Sequence, residues 1–231
     1  IYLAICALVL FFLVAPLIAV IPISFSSSPF LQFTSEMLSF QPEAFSLRWY
    51  KMLIGDCSDP GITTVCTDRW VRGAQNSLFI GIIATFLATT LGIMAALGLS
   101  RPHMPYRKVI MAIMISPLIV PLIITASGLF FFFAKFNLVA TYTGLIFAHT
   151  VLGLPFVVIT VTATLVGFDQ NLTRAAASLG GSPFHNFFKI QMPLILPGVI
   201  SGGLFAFITS FVEVVIVLFV GGPEQVTLPR Q

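Results

Sequence analysis

Five stretches of the chain are apolar on every face that a helix could present: Ile1–Ile23, Ser77–Leu99, Val109–Phe133, Gly144–Val166 and Leu194–Val220. A membrane-spanning helix needs about 20 predominantly apolar residues, and each stretch supplies them. A helix on a soluble core keeps one polar face for water, which these runs lack. The pattern predicts an all-α membrane protein with five visible spans. Between the first two lies a long polar excursion, Ser24–Ala74. It carries loop signals at Ser26–Ser28, Pro29, Pro42 and the stretch "GDCSDPG", Gly55–Gly61. A short helix around Phe45–Ile54 fits the membrane–water boundary, where Trp49 and Tyr50 are favoured.

The spans carry their own punctuation. In the second, Gly81, Ala84, Ala88, Gly92 and Ala96 recur every three or four residues, the spacing of a face that lets two backbones approach closely in lipid. The third contains Pro117 and Pro121. Each proline removes a backbone hydrogen bond and crowds the preceding turn, so this span is predicted to kink and to be a candidate for lining a pathway. His149 lies in the fourth span. It bonds a neighbouring helix or faces a polar cavity, and the residues favour neither reading. The fifth holds one acid, Glu213, with no base within a turn. A carboxylate in hydrocarbon costs about 3 kcal/mol on insertion scales, so Glu213 should face the bundle interior or an aqueous path. There it could attract a cation.

A polar island, "TRAAASLGGSPFHNFFKIQMPLILPG" from Thr173 to Gly198, interrupts the last two runs. Leu172, Ala175, Ala176 and Leu179 follow the spacing of one helical face. Asp169 or Asn171 can cap its start. Gly180 and Gly181 end it, since glycine accepts the left-handed conformation. Ser182 and Pro183 restart a helix as cap and first residue. Phe184, Phe187, Phe188 and Gln191 continue it, and Pro193 and Pro197 mark the bend into the fifth span. The expected result is a helix–glycine–helix elbow over residues 169–193.

Charge orients the chain. Only 8% of residues are charged, and the net charge is +3. There is no basic stripe that would serve a nucleic acid. Arg101, Arg107 and Lys108 crowd the loop after the second span without an acid, which by the positive-inside rule places that loop in the cytoplasm. The elbow, with Arg174 and Lys189, is then cytoplasmic as well. The N-terminus is cytoplasmic, and the Ser24–Ala74 segment is external. Cys57 and Cys66 fall in that external segment. An oxidising compartment would permit a disulfide between them, and two free thiols are the alternative. His103, His149 and His185 are scattered without metal-ligand spacing, so no metal site is expected. The first run lacks a basic flank and a cleavage site and reads as a membrane anchor rather than a signal peptide. The chain begins inside that run without Met and stops at "TLPRQ", so residues are expected beyond both ends, including a sixth span.

The elbow resembles the EAA signature of ABC importer permeases, in which Glu-Ala-Ala is followed by Gly after three residues and by Ile-x-Leu-Pro after nine more. The matching positions are Arg174, Ala175, Ala176, Gly180, Ile190, Met192 and Pro193. Arg174 stands where the signature has Glu. The stretches "SPLIVPLIITASG", "AHTVLGLPFVVITVTATL" and "SFVEVVIVLFVGGPEQVTLPRQ" are similar to the polyamine branch of these permeases, and the likeness runs from Asn76 to the end. The resemblance implies a type I ABC permease bundle over residues 75–231, after a first transmembrane helix (1–23) and a periplasmic segment (24–74). It implies a multi-pass protein of the bacterial inner membrane. Its partners would be a second permease, two cytoplasmic ATPases on which the elbow seats, and a periplasmic solute-binding protein. ATP and Mg would be bound by the ATPases, because this chain has no phosphate-binding glycine loop. No residue here would be catalytic. The ATPase-coupling residues would be Arg174, Ala175, Ala176, Gly180, Ile190 and Pro193. Glu213, His149, Pro117 and Pro121 would line the pathway.

The solute implied is cationic, a polyamine such as spermidine or putrescine. Related permeases carry opines, amino-acid derivatives such as 4-aminobutyrate, sugars or metal-oxyanions. An ion-gradient-driven transporter would need inverted repeats with matching broken helices, and five spans divide badly. A membrane enzyme would need paired acids or a histidine cluster, and neither is present.

Overall fold

The computed structural model describes residues 2–28, 30, 32–54, 56, 69–101, 103–169 and 171–231. Cys57 and Cys66 lie outside these residues. The chain divides into two compact units, Ile1–Val71 and Arg72–Gln231.

The first unit opens with α1 (Tyr2–Ile23), none of whose residues is buried. Its 22 residues span about 33 Å, enough for the hydrocarbon core. Cys6 on this helix is a free thiol. Two short helices follow, α2 (Ser35–Leu38), started by the Thr34 side chain, and α3 (Arg48–Leu53), which falls within the stretch Phe45–Ile54 where a helix was expected. An antiparallel bridge between Ser26 and Phe45 folds the segment back. The α3 side chains hold it there: Trp49 Nε1 donates to the Ser26 carbonyl at 3.0 Å, and the Tyr50 hydroxyl meets Ser24 Oγ at 2.8 Å.

The second unit is a helical bundle built around α7 (Tyr142–Val166). In chain order it comprises α4 (Arg69–Leu99, which begins at the unit boundary), α5 (Arg107–Ile119), α6 (Leu122–Ala134), α7, α8 (Asn171–Ser178), α9 (Pro183–Asn186), α10 (Met192–Val212) and α11 (Val215–Val220). The most extensive packing is α7 on α10. The small-residue row of α4 is buried as expected, from Gly81 to Ala96. Its reason is contact distance: a Cβ placed on Gly92 would come within 2.6 Å of Val157 Cγ1 on α7. Gly153 plays the same part for α7 against Ala206 of α10, at 2.9 Å. Large apolar side chains on the opposite face of α4, such as Phe86 and Met94, stay exposed, as lipid-facing residues do.

Two of the predicted spans are not single helices. In the third, α5 and α6 meet at 104°. Val120, ahead of Pro121, is extended (φ −71°, ψ 133°), because a proline ring disfavours the helical region for the residue before it. Each half has 13 residues and rises about 20 Å, too short to cross alone, so the pair is a broken span or a re-entrant loop. The fifth run stops at Val212 and resumes at Val215. Glu213 sits in the break with extended backbone (φ −73°, ψ 125°). No proline or glycine signals this second break. The elbow also joins α10 differently from expectation. Pro193 and Pro197 do not interrupt the helix there, and residues Pro183–Val212 form a continuous 30-residue candidate span. The proline is accommodated by a π-turn over Phe187–Gln191, in which Met192 N–H donates to the Phe187 carbonyl five residues back. Widening the turn relieves the carbonyls that a proline ring would otherwise strike.

Candidate functional site

Three groups of residues stand out: the elbow at one end of the bundle, the buried polar groups near the end of α10, and the segment 221–231 beyond α11.

The elbow is closed by local chemistry. Asp169 Oδ1 accepts the Asn171 N–H at 2.9 Å, so Asp169 supplies the side-chain cap at the start of α8. At its other end Gly180 takes φ +85°. Gly181 N–H bonds the Ala176 carbonyl at 2.9 Å and Gly180 N–H bonds that of Ala177 at 3.0 Å. This is the paired 6→1 and 5→2 pattern of a Schellman end. Ser182 Oγ then accepts the His185 N–H, with Pro183 at the first position of α9. Asn186 is buried beneath the turn, its amide reaching the Gly181 carbonyl at 3.5 Å.

The elbow exposes large apolar side chains among its polar ones. Leu179 is 89% exposed and Phe184 79%. Leu172 and Ala175 are exposed and Ala176 is half-buried. Large apolar side chains held exposed on an ordered backbone suit an interaction site. Arg174 projects from the same short helix, exposed, with no side-chain hydrogen bond or ion pair among the described residues. Ile190 is half-buried in the π-turn, and Pro193 is exposed at the second position of α10.

The buried polar groups gather near the end of α10. His149 is 1% exposed, and its Nδ1 meets Ser210 Oγ at 2.7 Å. Its Nε2 has no partner among the described residues. The histidine therefore bonds a neighbouring helix. Ser210 was not singled out in the sequence, although a serine one turn before the only acid in an apolar run was a signal. Glu213 is 7% exposed, and its Oε1 accepts the Ile216 N–H at 3.0 Å, so it caps α11. The helix that Glu213 starts packs against α6, the helix that Pro121 starts. The two chain breaks thus lie on packed partners. Pro117 is half-buried inside α5 and Pro121 exposed at the break.

Beyond α11 the segment 221–231 is tied down by side chains from two helices, α4 and α7. Asn76 Nδ2 donates to the carbonyls of Glu224 and Val226, each at 2.9 Å. The Tyr142 hydroxyl donates to Asn76 Oδ1 at 3.0 Å. Ser77 Oγ accepts the Leu228 N–H at 2.9 Å. Arg230 returns to the Val217 and Gly222 carbonyls, a cation at a helix C-terminus. Replacing Asn76 with alanine should therefore loosen the strap. Amide exchange at Leu228 should accelerate about tenfold or more, since two or three bonds worth about 1 kcal/mol each are lost. Unchanged exchange there would mean that Asn76 is not the latch.

Residues 88–230 match the family described as binding-protein-dependent transport system inner membrane component. The chain is 30% identical over 218 residues to the spermidine/putrescine transport system permease protein PotC of Escherichia coli strain K12, covering 94% of this chain and 75% of that one. It is 31% identical over 225 residues to the putrescine transport system permease protein PotI of the same strain, covering 94% and 73%. A third relative, the sulfoquinovosyl glycerol transport system permease protein SmoH of Agrobacterium fabrum, is 30% identical over 67% of this chain and 54% of its own. Among solved structures, a bacterial ABC transporter involved in the import of the acidic polysaccharide alginate superposes with a TM-score of 0.69. It covers 99% of this chain and 75% of that one, at 14% identity, a likeness of fold. The multi-pass apolar bundle, the elbow and these relatives agree, and the chain belongs to the binding-protein-dependent transport system inner membrane components, as a type I ABC permease.

Proposed function

We propose that the chain is a permease subunit through which an ATP-driven importer carries a polyamine, such as spermidine or putrescine, across the bacterial inner membrane. The observation that carries this reading is the similarity to two polyamine permeases over 94% of the chain. A buried carboxylate at a helix break supports it. Broken helices in transporters line solute sites, and Glu213 spends one oxygen on the Ile216 N–H, which leaves the other for an ammonium group. His149, Pro117 and Pro121 would shape the same pathway. The N-terminus and the elbow face the cytoplasm, in keeping with the basic loop at Arg101, Arg107 and Lys108.

The division of labour follows. This chain does no chemistry. Two ATPase subunits bind ATP and Mg and hydrolyse it. Their closure moves the elbow as a rigid body, and the spans rock around a fixed site while a second permease completes the pore and a periplasmic protein delivers the solute. Arg174 faces the ATPase and calls for an acid there, because a cation buried without a partner is costly.

The test is purification of the chain from its membrane and reconstitution. Recovery with an ATP-binding subunit, and ATP-dependent uptake of labelled spermidine or putrescine into proteoliposomes, is the expected result. Recovery of the chain alone, or uptake driven by an ion gradient without ATP, would overturn it. ATP-driven uptake of a sugar or of 4-aminobutyrate in place of polyamines would keep the importer and replace the solute.

A further inference from the structure

The second half of the elbow does not close fully onto α4. Between them runs a groove of about 560 Å³, lined by Ile93, Met94 and Leu97 on one side and by Phe184, Phe187 and Met192 on the other. Its walls are almost wholly carbon. It shares Leu97, Pro183 and Phe187 with an adjoining cavity of about 510 Å³. That second cavity is polar, and Ser100, Arg101 and Gln191 line it. Arg101 lies just past Leu99, the last residue of α4, and lines the polar cavity together with Leu97, so a basic residue stands next to the apolar groove. Arg101 is exposed and has no hydrogen-bond or ion-pair partner for its side chain among the described residues.

A hydrocarbon slot that opens beside an unpaired cation is complementary to an amphiphile with an acidic head. A wholly apolar protein helix does not satisfy it. A wholly apolar helix such as α1 carries no charged residue and would leave Arg101 unanswered. We infer that the groove holds an acyl chain of an anionic phospholipid from the leaflet on the elbow side, with the lipid phosphate on Arg101. The inference rests on the reading above that the elbow lies at the membrane surface. Because the groove has α4 on one wall and α9 with the π-turn on the other, the bound lipid braces the elbow against the bundle.

The test uses the assembled transporter in nanodiscs of phosphatidylcholine doped with phosphatidylglycerol that carries a photoreactive acyl chain. The label should appear on Met94, Leu97 or Phe184 and be displaced by unlabelled phosphatidylglycerol, not by phosphatidylcholine. Arg101→Gln should weaken that displacement about fivefold, the effect of one basic residue at a membrane surface, and Arg101→Lys should restore most of it. Met94→Trp should fill the slot and remove the label. Equal labelling from a phosphatidylcholine probe, indifferent to Arg101, would overturn the proposal, since the slot would then hold any acyl chain. Labelling absent from the groove, with a helix of another subunit cross-linked there, would overturn it in favour of a protein occupant. The readout is labelling, so it can fail while polyamine uptake stands, and it can succeed in a complex that carries another solute.

Discussion

Gly180→Val should abolish ATP-driven uptake while leaving the chain inserted in the membrane at normal abundance. Gly180 holds φ +85°, and that one residue lets Gly180 and Gly181 turn back to the Ala177 and Ala176 carbonyls. A β-branched residue in that conformation costs about 1–3 kcal/mol. No tertiary contact nearby compensates, because nothing lies within 4 Å of a Cβ built at Gly180. The turn must open, and the angle between α8 and α9 changes with it. An elbow that transmits force must be stiff, so losing that angle removes coupling even though each helix survives. Uptake should fall more than tenfold, and ATP hydrolysis by the complex should cease to respond to solute. Gly180→Asn is the control. Asparagine tolerates the left-handed region, and this variant should keep most of the uptake. Equal loss in both variants would mean that the position is read by side-chain size at the partner surface. Full uptake in the valine variant would remove the elbow from the coupling path.

The second large effect is expected at Glu213, where two substitutions separate two roles. Glu213→Gln keeps an oxygen for the Ile216 N–H and therefore keeps the start of α11, but it removes the negative charge. Uptake of spermidine should fall about tenfold to a hundredfold, the range for losing a charge-assisted contact, with unchanged assembly. Glu213→Ala also deletes the cap, at about 1 kcal/mol, and should lower the thermal stability of the complex as well as its uptake. Measuring both variants for uptake and for melting decides between the roles. If the glutamine variant transports normally and only the alanine variant suffers, Glu213 is a cap and the solute passes elsewhere.

The elbow was legible because it is local. Its caps, its glycine pair and its apolar spacing involve residues within a few positions of each other, and Asp169, Gly180, Gly181, Ser182 and Pro183 all take the parts their side chains favour. The row from Gly81 to Ala96 was legible for a related reason, since only small residues permit the contact later found with Val157. The bend at Pro121 was expected as a kink, and its 104° angle was not. Proline dictates where a helix weakens but not how far the halves turn, and here the two halves pack on different partners, α5 on α7 and α6 on α11. The prolines after the elbow were misread. Pro193 falls behind a π-turn that absorbs it, and backbone register of that kind has no residue signature.

The amino-acid sequence by itself determined the solvent of this protein, the number of apolar runs and the form of the elbow, because hydropathy, helix caps and left-handed glycines act over one or two turns. Only the tertiary structure decided that the fifth run breaks at Glu213, that His149 finds Ser210, and that Asn76 pins a strap some 150 residues away in the chain. Each of these is a polar group withdrawn wholly or partly from water. Such a group must find a partner wherever the fold brings one within about 3 Å, and sequence distance does not enter that choice.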